Sequence, residues 1–183
     1  MRLSVPTALL LLALAGCSQE PPLHDAPSAA PTPDPTHALP AHTLPATARD
    51  GWTECPYLDA EWVAQTNGQR VTGVGTDTRF DPPACQFWST AEEPQLTVIV
   101  RRMGSVQDAR AVVDWAAPVD ATQPATLPGG WDGGRHGGGD VPGRIGAAYA
   151  VSKGAVAVAV FTNQNESVKA EAVAKEVIAT LAL

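Results

Sequence analysis

Basic charge is scarce in this chain. Its 183 residues hold 12 lysines and arginines against 19 aspartates and glutamates, a formal net charge of -7. From residue 51 onward the count is 10 against 15, so the deficit belongs to the part expected to fold. Nucleic acid requires a basic footprint and anionic lipid attracts basic clusters, so neither is expected as an electrostatic partner. Residues 51–183 also lack any apolar run long enough to cross a bilayer, and any tandem repeat. There is no Cys-x-x-Cys, no Gly-Lys-Ser/Thr after the glycine-rich stretch and no Gly-x-Ser-x-Gly elbow. Those absences remove the local signatures of a dithiol redox site, a phosphate-cradling loop and an α/β-hydrolase nucleophile. His24, His37 and His42 fall in proline-rich sequence without preformed ligand geometry, which leaves His136 alone in the later part. No cofactor or metal site is expected.

What the chain does have begins at its amino terminus. Arg2 is followed by ALLLLALA at residues 8–15, too short for a stable membrane span and suited to the apolar region of an export signal. The segment ends Leu14-Ala15-Gly16-Cys17, which resembles the lipobox of bacterial lipoproteins. That resemblance implies a signal peptide over 1–16, cleavage after Gly16, and acyl chains, palmitate among them, on Cys17. Two or more such chains give stable anchoring, at about 0.8 kcal/mol per buried methylene. An ordinary secretory signal leaving a free cysteine is the alternative. Residues 18–50 contain 8 prolines and no glycine, and their few leucines follow no helical or strand period. Residues 17–50 are therefore expected to be a lipidated cysteine and a disordered spacer.

With Cys17 as an anchor, Cys55 and Cys85 remain, separated by 30 residues. In an oxidising compartment they are expected to form a structural disulfide. A redox pair would lack Cys-x-x-Cys spacing, and a two-cysteine metal site would need two further ligands where only His136 is at hand.

Residues 51–183 fit one domain with one core. Pro56, the acidic residues after it and Gly68 place a short helix over 56–66. QRVTGVGTDTRF reads as a glycine-weakened strand, followed by strands ACQFWST and PQLTVIVRRM joined by AEEP. Cys85 and Phe87 share a face opposite Trp88, and Leu96, Val98 and Val100 share one opposite Ile99. Ser105 and Asp108 open a second helix that ends at Pro118. GAAYAVSKGAVAVAVFTNQ reads as a hairpin turning at Lys153-Gly154, and Ala170, Val173, Ala174, Val177, Ile178 and Leu181 form the apolar stripe of a last helix expected to cover it. The expected fold is α+β: a single domain with an antiparallel sheet of about five strands, packed against two to three helices and closed by one disulfide.

ECPYLDAEWVAQTNGQRVTGVGTDTRFDPPACQFWS, AAPVDAT and YAVSKGAVAVAVFTNQNESVKAEAVAKEVI, together with the lipobox and spacer, resemble an uncharacterised lipoprotein domain family of corynebacteria, mycobacteria and other actinobacteria. The order of elements resembles, more distantly, other actinobacterial envelope lipoproteins and the extracellular sensor modules of some membrane kinases, which often pair the two cysteines. PsbP-like lipoproteins share the layout alone. The resemblance implies an outer-face, lipid-anchored protein of the cell membrane and carries no assigned activity.

Between the second helix and the hairpin lies VDATQPATLPGGWDGGRHGGGDVPGRI, with eight glycines between positions 129 and 143. Residues 129–143 are expected to be the most mobile part of the domain, with Trp131 and Arg135 as candidate contacts for an envelope protein or an apolar or sugar-like ligand. Trp131 folding back over the sheet is the packing alternative. Asp132, His136 and Asp140 lie four apart, which would align them only on a helix that the glycines oppose. Two functional classes stay open: a non-enzymatic binding, carrier or accessory lipoprotein, and a hydrolase using His136 with a serine or carboxylate.

Overall fold

The computed structural model describes residues 39–183. The expected signal peptide, Cys17, His24 and His37 lie outside the described residues.

The first helix, α1, spans Ala60–Asn67 rather than 56–66. Asp59 is its N-cap, accepting from the Trp62 amide, because a carboxylate there satisfies an amide that the helix leaves unpaired. Pro56 to Leu58 form a turn instead, which delivers Cys55, Tyr57 and Leu58 into the core. Gly68 closes the helix at φ 73°, where a side chain would be strained.

Seven strands follow among the described residues, two more than the sequence suggests. They are β1 (Gly73–Asp77), β2 (Ala84–Trp88), β3 (Leu96–Arg102), β4 (Gln123–Leu127), β5 (Trp131–His136), β6 (Ala147–Lys153) and β7 (Val156–Thr162). Their order is β1-β2-β3-β7-β6-β5-β4, with every neighbouring pair antiparallel. Two meanders therefore meet at β3 and β7 in the middle of one sheet. The additional strands, β4 and β5, occupy the stretch expected to be irregular. Gly129 and Gly130, at φ 88° and 85°, turn the chain between them. The glycines inside β5 answer to packing: a Cβ on Gly133 would overlap the Ala150 carbonyl oxygen, and one on Gly134 would press on Ala117. Glycine marks close approach of backbones here, not a break in the strand.

Helix α2 (Val106–Ala116) connects the meanders, and α3 (Ser167–Thr180) ends the chain. Ser105 caps α2 by accepting from the Asp108 amide, as its sequence suggests. The helices lie on opposite faces of the sheet. Val173, Ala174 and Val177 of α3 and Val63 of α1 join Phe87, Val98, Val158 and Val160 in one cluster. Ala109, Val112 and Ala116 of α2 join Ala150, Ala157 and Ala159 in the other. The central hairpin is thus divided by its period of two, with valines beneath α3 and alanines beneath α2. Each fully buried valine contributes about 1.5–3 kcal/mol, and the alanines let α2 approach closely.

Residues 39–50 were expected in the spacer, but they run along the sheet on the α2 face. Arg101 donates to the Leu39 and Pro40 carbonyls, the Ala46 amide donates to Asp77 at 2.9 Å, and Thr47 donates to Gln86 at 2.9 Å. Gly73 and Gly75 make room: Cβ atoms there would overlap the Arg49 carbonyl oxygen and the Thr47 side chain. A proline-containing strap with no ladder of its own is held by groups borrowed from the sheet. The expected spacer therefore includes residues, among 39–50, that pack on the sheet.

Candidate functional site

The predicted disulfide is present. Cys55 and Cys85 are bonded with a Cα–Cα distance of 5.8 Å, tying the segment before α1 to β2. Tyr57 reinforces the tie by donating to the Pro83 carbonyl at 2.8 Å, and burial raises its phenol above the ordinary tyrosine range. At the sheet edge the chain returns once more: the Thr53 amide donates to the Val74 carbonyl at 2.9 Å, and the Val74 amide to the Gly51 carbonyl at 3.0 Å.

The 52–61 segment so tied lines a pocket of about 670 Å³ together with α1, the sheet and Thr180. Val74 and Phe87 back it, and Pro56, Ala60, Ala64 and Val71 give it an apolar wall. Trp52 stands at it 59% exposed, and Thr180 of α3 closes the far side. Its polar lining is Glu54, Asp59 and Glu61 against Arg70. A volume of this size lies inside the usual range for small-molecule sites, about 300–1,000 Å³. An arrangement of this kind can shelter an apolar body and present charge at its opening. Nothing in the sequence reading singled it out. The legible signals were a tryptophan close before a cysteine and three carboxylates within eight residues.

The residues that the sequence did single out are not gathered into one site. Trp131 is 2% exposed and packs in the α3-side cluster, with the Lys153 ammonium 5.1 Å from its ring centre. It presents no surface for recognition, and the packing alternative describes it. Arg135 lies at the other end of β5 on the same face, partly exposed, 3.8 Å from Glu171, which also pairs with Lys175 at 2.6 Å. The expected mobile loop is strand over 131–136, so the picture of Trp131 and Arg135 as a flexible grip does not hold.

His136 is 3% exposed. Its Nδ1 lies 3.0 Å from the Gly137 carbonyl oxygen and therefore donates to it, so any further hydrogen bond of the ring would have to come through Nε2. That Nε2 is buried without a partner among the described residues. Asp140 accepts instead from the Gly137 amide at 2.6 Å, and Asp132 is exposed at the start of β5. Ser105 is engaged with Asp108, and Ser89 accepts from the Ala91 amide. The base-to-nucleophile and base-to-carboxylate hydrogen bonds of a hydrolase are not formed among the described residues. No group of three or more potential metal ligands occurs among them either.

A family match extends over this same unit. The family described as a domain of unknown function, DUF2020, matches residues 36–183. The chain belongs to the DUF2020 family. No curated protein matches it. The DUF2020 match starts ahead of the strap, in keeping with residues 39–50 being part of the folded unit rather than of a tether.

Proposed function

We propose that this chain is a membrane-anchored, non-enzymatic lipoprotein of an actinobacterial envelope. Acylated Cys17 holds it to the outer face of the cell membrane, a short proline-rich tether follows, and the DUF2020 domain binds or carries a ligand with an apolar body. The observation that carries the binding role is the pocket of about 670 Å³ between the disulfide-tied 52–61 segment, α1 and the end of α3. Support for the anchor comes from Leu14-Ala15-Gly16-Cys17 following an apolar run of signal length. No helix among the described residues is long and apolar enough to cross a membrane, so the described part offers no helical span in place of the acyl chains.

The test is purification of the native protein followed by mass spectrometry of what it retains, beside an Ala64→Trp variant. Tryptophan at 64, a half-buried position of α1 that lines the pocket, fills it and is tolerated in a helix. The expected result is a retained small molecule that disappears in the variant while the melting temperature stays within a few degrees. Identical retention in both proteins would remove the pocket from the function.

A further inference from the structure

Resting on that binding role, we propose that the pocket selects a small amphiphile with a single cationic head on its apolar body. The apolar wall of Pro56, Ala60, Ala64 and Val71 shelters a hydrocarbon but does not distinguish one head group from another. Selection falls to the polar lining, where three carboxylates face one guanidinium. Asp59 is already engaged in capping α1 through the Trp62 amide. Glu61 takes a hydrogen bond from Gln65 at 3.3 Å, which leaves its negative charge uncompensated. Neither Glu54 nor Glu61 forms an ion pair among the described residues. An anionic head would meet these carboxylates with Arg70 alone to offset them. A cationic head gains both carboxylates and the ring face of Trp52, whose 59% exposure leaves it open to a cation. These charged residues are exposed, so they act through water and are weak singly, and the preference is graded and salt-sensitive.

The experiment uses the full chain carrying Cys17→Ser, so that no acyl group or solubilising detergent competes. Binding of decyltrimethylammonium, decyl maltoside and decyl sulfate is measured by calorimetry below their micelle concentrations. The expected order is cationic, neutral, anionic, with about tenfold between the extremes at low salt and a collapse of that ratio at high salt. Glu54→Gln with Glu61→Gln should bring the three probes together and leave the neutral one unchanged. Glu92→Gln with Glu93→Gln, at exposed positions outside this pocket, should leave the order intact. Equal affinity for the cationic and anionic probes, or a preference erased equally by the distant pair, overturns the cationic selectivity. In either case, binding of the neutral probe that Ala64→Trp abolishes would leave the pocket's binding role standing. Failure of all three probes to bind overturns both.

Discussion

The two edges of the sheet are protected by different physical means. At the β1 edge the chain is fixed by separate directional ties: the disulfide, the Thr53 and Val74 amides, and the strap that lies against Gly73 and Gly75. Near the β4 edge protection comes from fit, with Gly133 against the Ala150 backbone, Gly134 against Ala117 and Thr122, and Trp131 buried in the cluster that α3 shares. Pro124 also stands in β4 itself, where a missing amide discourages pairing with another chain. Ties can leave space between them, and the pocket lies among those of the β1 edge. The spaces beside the β4 edge are smaller, about 160 Å³ along Pro124, Gly133 and Gly134 and about 390 Å³ beside Arg135 and His136. Substitution near β4 should therefore cost stability steeply, while substitution near β1 should loosen the molecule by separable steps.

Gly133→Ala gives the sharpest version of that contrast. The added methyl overlaps the Ala150 carbonyl oxygen in the middle of the β5–β6 ladder, so that only a shift of backbone could relieve it. A loss of about 4–5 kcal/mol is expected, at the severe end of single substitutions, read as a collapsed urea midpoint or failure to fold. A loss below about 1 kcal/mol would show that the β4 edge yields, and the distinction between the edges would fail.

Trp131→Ala follows, with a loss of about 3–4 kcal/mol from an emptied core site. Arg135→Ala, four residues along the same face, should lose under about 1 kcal/mol because its pairing with Glu171 is long and partly exposed. Chemical denaturation of the two single variants measures the gap. Similar losses at both positions would mean that Trp131 does not anchor the edge.

Sequence alone carried the parts of this molecule that depend on period and local chemistry. Strand faces in β2 and β3, the Ser105 cap, the Lys153-Gly154 turn and the apolar stripe of α3 all follow from neighbours within a few residues. The misreadings share one cause. The glycines of β5 and the prolines of the strap have local preferences against regular structure, and both were overridden by groups far away in sequence: Ala150 for Gly133, Asp77 for Ala46, Arg101 for Pro40. The pocket was hidden for the same reason, since its walls come from the 52–61 segment, α1, the sheet and Thr180. The disulfide was legible because cysteine is rare here and its chemistry narrow.

Replacing Cys55 and Cys85 together by alanine should cost about 3 kcal/mol by releasing a 30-residue loop in the unfolded chain. The loss should be accompanied by local opening: hydrogen exchange is expected to quicken in the 52–61 segment and α1 before β5 and β6. Uniform acceleration across the sheet would place the tie in the same cooperative unit as the β4 edge.

The effect expected at the strap is small, and it depends on pH. Asp77 is almost fully buried and receives the Arg79 guanidinium, with further donation from the Ala46 and Arg79 amides. The Arg79 side-chain hydrogen bond, chiefly, holds its carboxyl down at about 2 against an ordinary 3.8. A carboxyl lowered in the folded state adds stability that is complete above its unfolded value and disappears as pH falls through the folded one. Arg79 is half-exposed, so solvent weakens the pair. Asp77→Asn removes the charge and one of the two oxygens that separately accept from the Ala46 and Arg79 amides, so it should cost about 1 kcal/mol at neutral pH. Between about pH 5 and pH 1 the wild-type advantage should shrink toward zero, as protonation makes Asp77 as neutral as the asparagine. Urea unfolding of both proteins across that range measures the difference directly. A gap that stays constant down to the lowest pH would mean that the charge of Asp77 does not hold the strap, and that the β1 edge relies on its remaining ties.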